Sequence, residues 1–116
     1  MAYINKIGYG RYLEVSGGFI RDYATGDTYQ LYGDSISCSG SGLSYRIEGR
    51  RVREAFGSGA FEVNGSLIRH NFEGCIGEIS GNLIKRRFGS YEYEIIGGLS
   101  ERELLAVIAI IFGSRG

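Results

Sequence analysis

The segment Tyr45-Arg46-Ile47-Glu48-Gly49-Arg50-Arg51-Val52-Arg53-Glu54 carries a pattern that returns along most of the chain and indicates how it folds. A glycine recurs every 16 residues with an aliphatic residue two places before it. Another aliphatic residue recurs three places after it, until Ser100 breaks the series. The repeating glycines are Gly17, Gly33, Gly49, Gly65, Gly81 and Gly97. Repetition at a fixed period indicates a fold built from equivalent units.

Each unit has the pattern of two short β-strands around a two-residue turn. Apolar and polar residues alternate in Phe61-Glu62-Val63, which is the period of a strand with one buried face. The following Gly65-Ser66 suits a type I′ or II′ hairpin, in which glycine supplies a positive φ angle. This register places Ile68 opposite the valine and Arg69 opposite the glutamate of that segment.

The charges on the outer face favour hairpins over the coils of a β-solenoid. In a solenoid, Arg53, Arg69 and Lys85 would stack about 4.8 Å apart in a column of like charge. In hairpins, opposite charges face each other and contribute roughly 0.2–1 kcal/mol a pair. The predicted pairs are Glu14–Arg21, Glu62–Arg69 and Glu78–Lys85, and Arg46 opposite Arg53 is the exception. Five or six hairpins are therefore expected to close as an all-β barrel or flower.

The pattern changes after Gly97-Gly98 to that of a helix. Ser100 and Glu103 form a capping box and Gly113 is a natural stop, which predicts a helix over about 100–112. This helix caps the barrel in our prediction, and it is apolar on nearly every side from Leu104 onward. It must be buried by its own sheet or by another subunit, since it lacks the basic polar face of a membrane-surface helix. The residues that would form a subunit interface are Leu104, Leu105, Val107, Ile108, Ile111 and Phe112.

The repeat resembles two groups of bacterial hairpin-repeat proteins, the 4-fold beta flower proteins and those built of "YRIEGN-IREG" units. The segment Tyr45–Glu54 carries the closest likeness, and Phe61–Arg69 repeats it. The resemblance covers roughly residues 13–97 and implies a fold of hairpins, with no active-site residue to carry over. The apolar helix departs from the simple flower pattern.

Length and charge set bounds on the class of protein. The chain of 116 residues and 12.7 kDa is expected to be a single domain, with hairpin repeats over 13–97 and the helix and tail over 98–116. Thirteen basic and 13 acidic residues give no net charge, which argues against binding to a nucleic acid polymer. A hydrophobic content of 43% excludes disorder. The longest apolar run, Leu104–Phe112, is too short for a membrane span.

Few residues carry recognisable chemistry. Cys38 and Cys75 form neither a disulfide framework nor a metal motif, so we expect free thiols, a reducing cytoplasmic compartment and no metal or cofactor. His70 is the lone histidine and faces Phe61 in the predicted register, which favours a structural role. The sequence therefore predicts that the protein is not an enzyme. Two aromatic series repeat with the 16-residue period and predict core packing, with a stacking surface as the alternative. The first is Tyr29, Tyr45, Phe61 and Tyr93, and the second is Phe56, Phe72 and Phe88.

Two basic clusters leave the function open between two classes. The clusters are Arg50, Arg51 and Arg53, and Lys85, Arg86 and Arg87. They either pair with the glutamates of the repeat or converge on an anion such as a nucleotide, because arginine binds phosphate bidentately. The main hypothesis is a non-enzymatic structural or protein-interaction module of a bacterium or its phage, expected to form a homo-oligomer or to bind another protein. The alternative is a protein that binds or sequesters a small anion or nucleotide.

Overall fold

The computed structural model describes residues 2–38, 44–55, 59–86, 89 and 91–113. Twelve antiparallel strands form a closed barrel, and a single helix follows them in the described chain. The strands are β1 Ala2–Lys6, β2 Gly10–Ser16, β3 Phe19–Asp22, β4 Thr28–Tyr32, β5 Ser35–Cys38, β6 Ser44–Glu48, β7 Arg51–Glu54, β8 Ala60–Asn64, β9 Leu67–His70, β10 Gly74–Ser80, β11 Leu83–Arg86 and β12 Tyr91–Ile96. The helix α1 spans Glu101–Gly113.

The register within each hairpin is the predicted one. Val63 faces Ile68 and Glu62 faces Arg69 across β8 and β9, and the other repeats pair in the same way. This confirms hairpins and rules out solenoid coils. The exceptional pair of Arg46 and Arg53 is also present. Its repulsion is offset because Arg53 Nε donates a 3.0 Å hydrogen bond to the Glu48 carboxylate of the same hairpin.

The sixth hairpin is divided between the two ends of the chain. We call the second strand of each hairpin, which follows the turn glycine, its return strand. β12 is the first strand of the sixth repeat, and β1 pairs with it in the position of the missing return strand. Ile4 faces Ile95 just as Ile84 faces Ile79 in the fifth repeat. Pairing of β1 with β12 therefore closes the barrel and completes the sixth repeat.

The repeat gives the barrel two different ends. The turn end carries the two-residue turns, such as Gly65-Ser66, and the link end carries the connections between hairpins, of which 7–9, 23–27 and 71–73 are fully described. Between the two ends, one aliphatic side chain from each return strand is at most 1% exposed. These six are Ile4, Ile20, Ile36, Val52, Ile68 and Ile84.

The helix α1 lies inside the barrel rather than across one end. All eight residues from Leu105 to Phe112 are buried, whereas a helix lying across an end would expose one side. Eight strands already enclose a space that side chains fill, so twelve strands enclose a wider lumen that needs additional material. The capping box is confirmed, because Ser100 N donates to Glu103 Oε1 at 2.9 Å and Glu103 N donates to Ser100 Oγ at 3.2 Å.

This burial decides what covers the apolar helix. The barrel of the same chain buries five residues of the predicted interface and partly buries Leu104. The five are Leu105, Val107, Ile108, Ile111 and Phe112. They present no free face to a second copy. Of the placements open at the level of sequence, the structure shows the helix packed against its own sheet.

The helix also explains the one glycine in the aromatic series. The inward position four residues before the turn glycine holds Tyr29, Tyr45, Phe61 and Tyr93 in four repeats but Gly77 in the fifth. A Cβ on Gly77 would lie 2.9 Å from Cζ of Phe112 and 2.7 Å from the Lys85 carbonyl oxygen. Phe112 thus occupies the space that an aromatic residue of β10 would fill.

The turn glycines provide a test of the hairpins. Gly65 and Gly81 have φ angles of 65° and 61°, in the left-handed region. We expect Gly65→Ala and Gly81→Ala each to lower the free energy of unfolding by about 1–2 kcal/mol, because a Cβ is disfavoured there. Urea unfolding measures the effect. Gly98→Ala is the control, since a Cβ on Gly98 meets open space without a positive φ, and an equal loss in this variant would contradict the explanation.

The contact between Gly77 and Phe112 provides a second test. Phe112→Ala should cost about 3–5 kcal/mol of unfolding free energy through a cavity, and Gly77→Ala about 1–3 kcal/mol through overpacking. The double variant should lose less than the two single losses added, because the alanine at 77 would enter the space that Phe112 leaves. Strict additivity in chemical denaturation would show that the two positions do not share this space.

Candidate functional site

A ring of polar side chains surrounds the lumen at the link end. Five places after each turn glycine, the last inward position of the return strand holds an ionisable residue or a cysteine. β1 supplies the sixth member in its role as the missing return strand. We call these residues the mouth ring, and they are Lys6, Asp22, Cys38, Glu54, His70 and Arg86.

The mouth ring alternates with the aromatic series around the barrel. Each ring member faces the inward residue of the preceding strand in the register, and this partner is aromatic in four of the six pairs. The pairs are Asp22–Leu13, Cys38–Tyr29, Glu54–Tyr45, His70–Phe61, Arg86–Gly77 and Lys6–Tyr93. Tyr29, Tyr45, Phe61 and Tyr93 are buried, which confirms that they pack in the core. Sequence reasoning missed the ring because its members share a position but not a residue type.

Asp22 is a buried carboxylate with one oxygen unused. The residue is 1% exposed, and its Oδ1 accepts hydrogen bonds from the backbone N–H groups of Ala24 at 2.9 Å and Thr25 at 3.3 Å. Among the described residues, nothing donates a hydrogen bond to Asp22 Oδ2. A buried polar atom without a partner is costly, so this oxygen is available to a donor that reaches it.

Two neutral tyrosines extend from Asp22 around the acidic side of the ring. Burial raises the pKa of Tyr29 above its ordinary value, and Cys38 and then Asp22 add to the rise. Burial also raises the pKa of Tyr45, with Glu54 and then Cys38 as further causes. Asp22, Tyr29, Cys38, Tyr45 and Glu54 therefore form one connected electrostatic neighbourhood.

The C-terminus of α1 reaches this neighbourhood. A Cβ on Gly113 would lie 2.5 Å from the Tyr45 hydroxyl oxygen, so the end of the helix and this hydroxyl are adjacent. The last turn contains no basic residue. The partial negative charge at a helix C-terminus thus adds to the charges of Asp22 and Glu54.

His70 joins the acidic side to the remainder of the ring. Its side chain is 11% exposed, and its Nδ1 accepts a 3.2 Å hydrogen bond from the backbone N–H of Phe72. The neutral imidazole therefore carries its proton on Nε2. A Cβ on Gly59 would lie 3.3 Å from this nitrogen and would overlap the Glu54 carboxylate. His70 Nε2 and the Glu54 carboxylate are therefore close to each other at the link end.

The cationic members of the ring have partners of their own. Arg86 Nε lies 3.0 Å from the Glu92 carboxylate, and Arg86 Cζ is 5.3 Å from the ring centre of Phe112. Lys6 Nζ is 5.0 Å from the ring centre of Tyr9. The mouth ring thus has an acidic side, at Asp22 and Glu54, that takes part in no ion pair between described residues, and a basic side on which Arg86 is paired with Glu92 and Lys6 lies against Tyr9.

Exposed aromatic side chains stand around this mouth. Tyr9 is 83% exposed and Phe72 is 69% exposed, and both lie in links between hairpins. We call the exposed apolar and aromatic residues of the link end the crown, and they are Ile7, Tyr9, Tyr23, Phe72 and Tyr91. The expected core role of Phe72 is therefore wrong, because its link projects into solvent. Phe56 and Phe88 of the same series lie outside the described residues.

The two predicted basic clusters do not converge. Arg50 lies in a turn at one end, Arg51, Arg53 and Lys85 lie on the outer wall, and Arg86 belongs to the mouth ring. Each has a carboxylate within 4 Å, in the pairs Arg50–Glu101, Arg51–Glu62, Arg53–Glu48, Lys85–Glu78 and Arg86–Glu92. Arg87 lies outside the described residues. This arrangement supports charge pairing for the described members.

The remaining chemistry is limited within the described chain. Its His, Cys, Asp and Glu residues include no group of three or more placed to hold a metal ion. Neither Cys38 nor Cys75 forms a disulfide bond, and Cys75 Sγ donates to the Gly77 carbonyl oxygen at 3.7 Å. In the part of the chain that is described, no helix has the length and apolar character needed to cross a membrane.

The comparisons with known proteins do not extend this description. No protein-family model matches the chain, and neither a curated protein nor a solved structure is significantly similar to it.

The buried tyrosines generate a prediction about alkaline stability. Their pKa values are raised in the folded state, while unfolded tyrosines ionise near pH 10, so the unfolded state loses protons first as the pH rises. The free energy of unfolding should therefore fall above about pH 10. Urea unfolding across this range should show a smaller fall for Tyr29→Phe and Tyr45→Phe. Tyr32→Phe is the control, since Tyr32 is 78% exposed, and an equally reduced fall in that variant would contradict the explanation.

Proposed function

We propose that this protein is a non-enzymatic interaction module that binds another protein through its link end. The observation that carries the proposal is the crown of exposed aromatic and aliphatic side chains around the mouth ring. Protein interfaces are enriched in tyrosine, phenylalanine and arginine at their centre, and a few such residues supply most of the binding energy. Tyr9 and Phe72 have the exposure that such anchors need.

The filled lumen supports binding at the rim. Helix α1 takes the space inside the barrel where a larger ligand would otherwise enter, and its end lies beside Tyr45. Charged and aromatic groups then remain together at the link end, where the ring and the crown meet. A partner that covers the crown would also cover the mouth ring.

Further attributes belong to the same proposal. Two cysteines that do not form a disulfide bond are compatible with the reducing, cytoplasmic location that we propose. The repeat motif supports a bacterial or phage origin and a place among the hairpin-repeat proteins. Self-association remains a proposal, with the crown rather than the helix as its surface. Binding of a small anion or nucleotide has less support, because the described arginines of the two clusters are dispersed and paired with carboxylates.

Affinity capture from a lysate of a bacterial host tests the proposal. We expect the wild-type protein to retain a defined protein that the crown variant Tyr9→Ser/Phe72→Ser loses by at least tenfold, because both anchors are removed. The matched control is Tyr32→Ser, which removes a 78% exposed tyrosine at the turn end. Quantitative mass spectrometry of the retained proteins is the measurement.

The outcomes separate the alternatives. Loss of the same protein in the turn-end control would place the surface elsewhere and contradict the proposal. A captured second copy of this chain, together with a dimer in native mass spectrometry, would replace a foreign partner by self-association. Circular dichroism of each variant shows whether its barrel is folded.

A further inference from the structure

The unused oxygen of Asp22 marks a place where a hydrogen-bond donor is missing. Asp22 belongs to the mouth ring and is 1% exposed. Its Oδ1 is held by Ala24 and Thr25, whereas Oδ2 has no donor among the described residues. The carboxylate is therefore fixed in position with one acceptor unsatisfied. A donor that also carries a positive charge would satisfy both the hydrogen bond and the charge.

The surroundings of Asp22 have the electrostatic character that a cation needs. Glu54 is exposed on the same side of the mouth, and none of the ion pairs between described residues includes Glu54 or Asp22. The hydroxyl groups of Tyr29 and Tyr45 lie between these two carboxylates in the order of the strands and can accept hydrogen bonds. The negative end of α1 lies beside Tyr45.

No ion pair between described residues joins a cation of the ring to Asp22 or Glu54. Arg86 is engaged by Glu92 and Phe112, and Lys6 lies against Tyr9. His70 has its proton on Nε2, which lies near the Glu54 carboxylate and is a donor that carries no charge in the neutral imidazole. An excess of acceptors and negative charge consequently remains at Asp22 and Glu54.

The donor set favours an ammonium group over a metal ion. A metal site would need several ligands converging on one point, and no suitable group of three exists among the described residues. A primary ammonium has three N–H donors and is satisfied by oxygens at separate positions, such as carboxylates and hydroxyls. Aromatic rings beside the carboxylates suit the methylene groups of the attached chain.

We propose that the acidic side of the mouth ring binds the ammonium group of a lysine side chain that the partner inserts into the mouth. The proposal rests on the proposed function for the source of the lysine. Glu54, which is exposed, contacts the ammonium group first, and Oδ2 of the buried Asp22 in the equivalent position of β3 accepts its hydrogen bond. The crown then contacts the surface that surrounds the inserted lysine.

Titration with n-butylammonium chloride, a mimic of the lysine side chain, tests the site without the partner. We expect saturable shifts of the backbone amide signals of Ala24 and Thr25 in a ¹H–¹⁵N spectrum, because these amides bind the same carboxylate. Sodium chloride at the same ionic strength controls for screening, and n-butanol controls for the apolar chain. Absence of saturable shifts, or equal shifts with n-butanol, would overturn the proposal.

Variants locate the site. Asp22→Asn keeps the acceptor for Ala24 and Thr25 but removes the charge, and we expect it to weaken n-butylammonium binding at least tenfold. Glu54→Gln should also weaken binding, and it decides the question if Asp22→Asn does not fold. The matched control is Glu94→Gln, because Glu94 lies on the outer wall of β12 and its change removes the same charge. Unchanged affinity in the folded variants of Asp22 and Glu54 would overturn the proposal.

Competition distinguishes this proposal from the proposed function. If a lysine of the partner occupies the site, n-butylammonium should reduce retention of the captured protein while n-butanol should not. Saturable amine binding without any effect on retention would overturn the lysine insertion and leave the crown as the binding surface. Retention that does not depend on the crown variants would instead reject the proposed function.

Discussion

The width of the barrel governs the arrangement of the helix, the core and the polar mouth. Twelve strands enclose a lumen that their own side chains do not fill, and an empty apolar cavity of that size would be costly. Helix α1 fills the lumen with eight consecutive buried residues. The apolar character of this helix, the absence of a side chain at Gly77 and the position of Phe112 all follow from that requirement.

The helix also determines where polar residues can stand. Return-strand positions beside the helix are aliphatic and at most 1% exposed, as in Val52 and Ile68. One inward position closer to the link end, near the last turn of α1, the same strands carry Glu54 and His70. Packing no longer requires apolar side chains at this level, so the six repeats could acquire six different residues there. The crown lies directly outside this ring, and its exposed aromatics are the basis for proposing an interaction surface.

Much of the architecture could be predicted because it is local. The turn at Gly65-Ser66, the pairing of Val63 with Ile68 and the capping box of Ser100 with Glu103 each involve residues within one unit. The mouth ring could have been found by comparing the fifth position after each turn glycine, since Asp22 and His70 are equivalent there. It was missed because a repeated position with changing chemistry has no consensus. The pairing of Arg46 with Arg53 could be explained only from the structure, which places the Glu48 carboxylate beside Arg53.

The hairpins, their internal register and the apolar C-terminal helix can be inferred from the residue pattern alone, because turns, alternation and caps act over a few residues. Three features required the folded chain to be seen: β1 completes the sixth repeat, the helix enters the lumen, and Asp22 is left with an unused oxygen. These features join distant parts of the chain. Their energies depend on how the enclosed volume is filled and on which groups are desolvated together, and neither quantity is contained in the pattern of a single repeat.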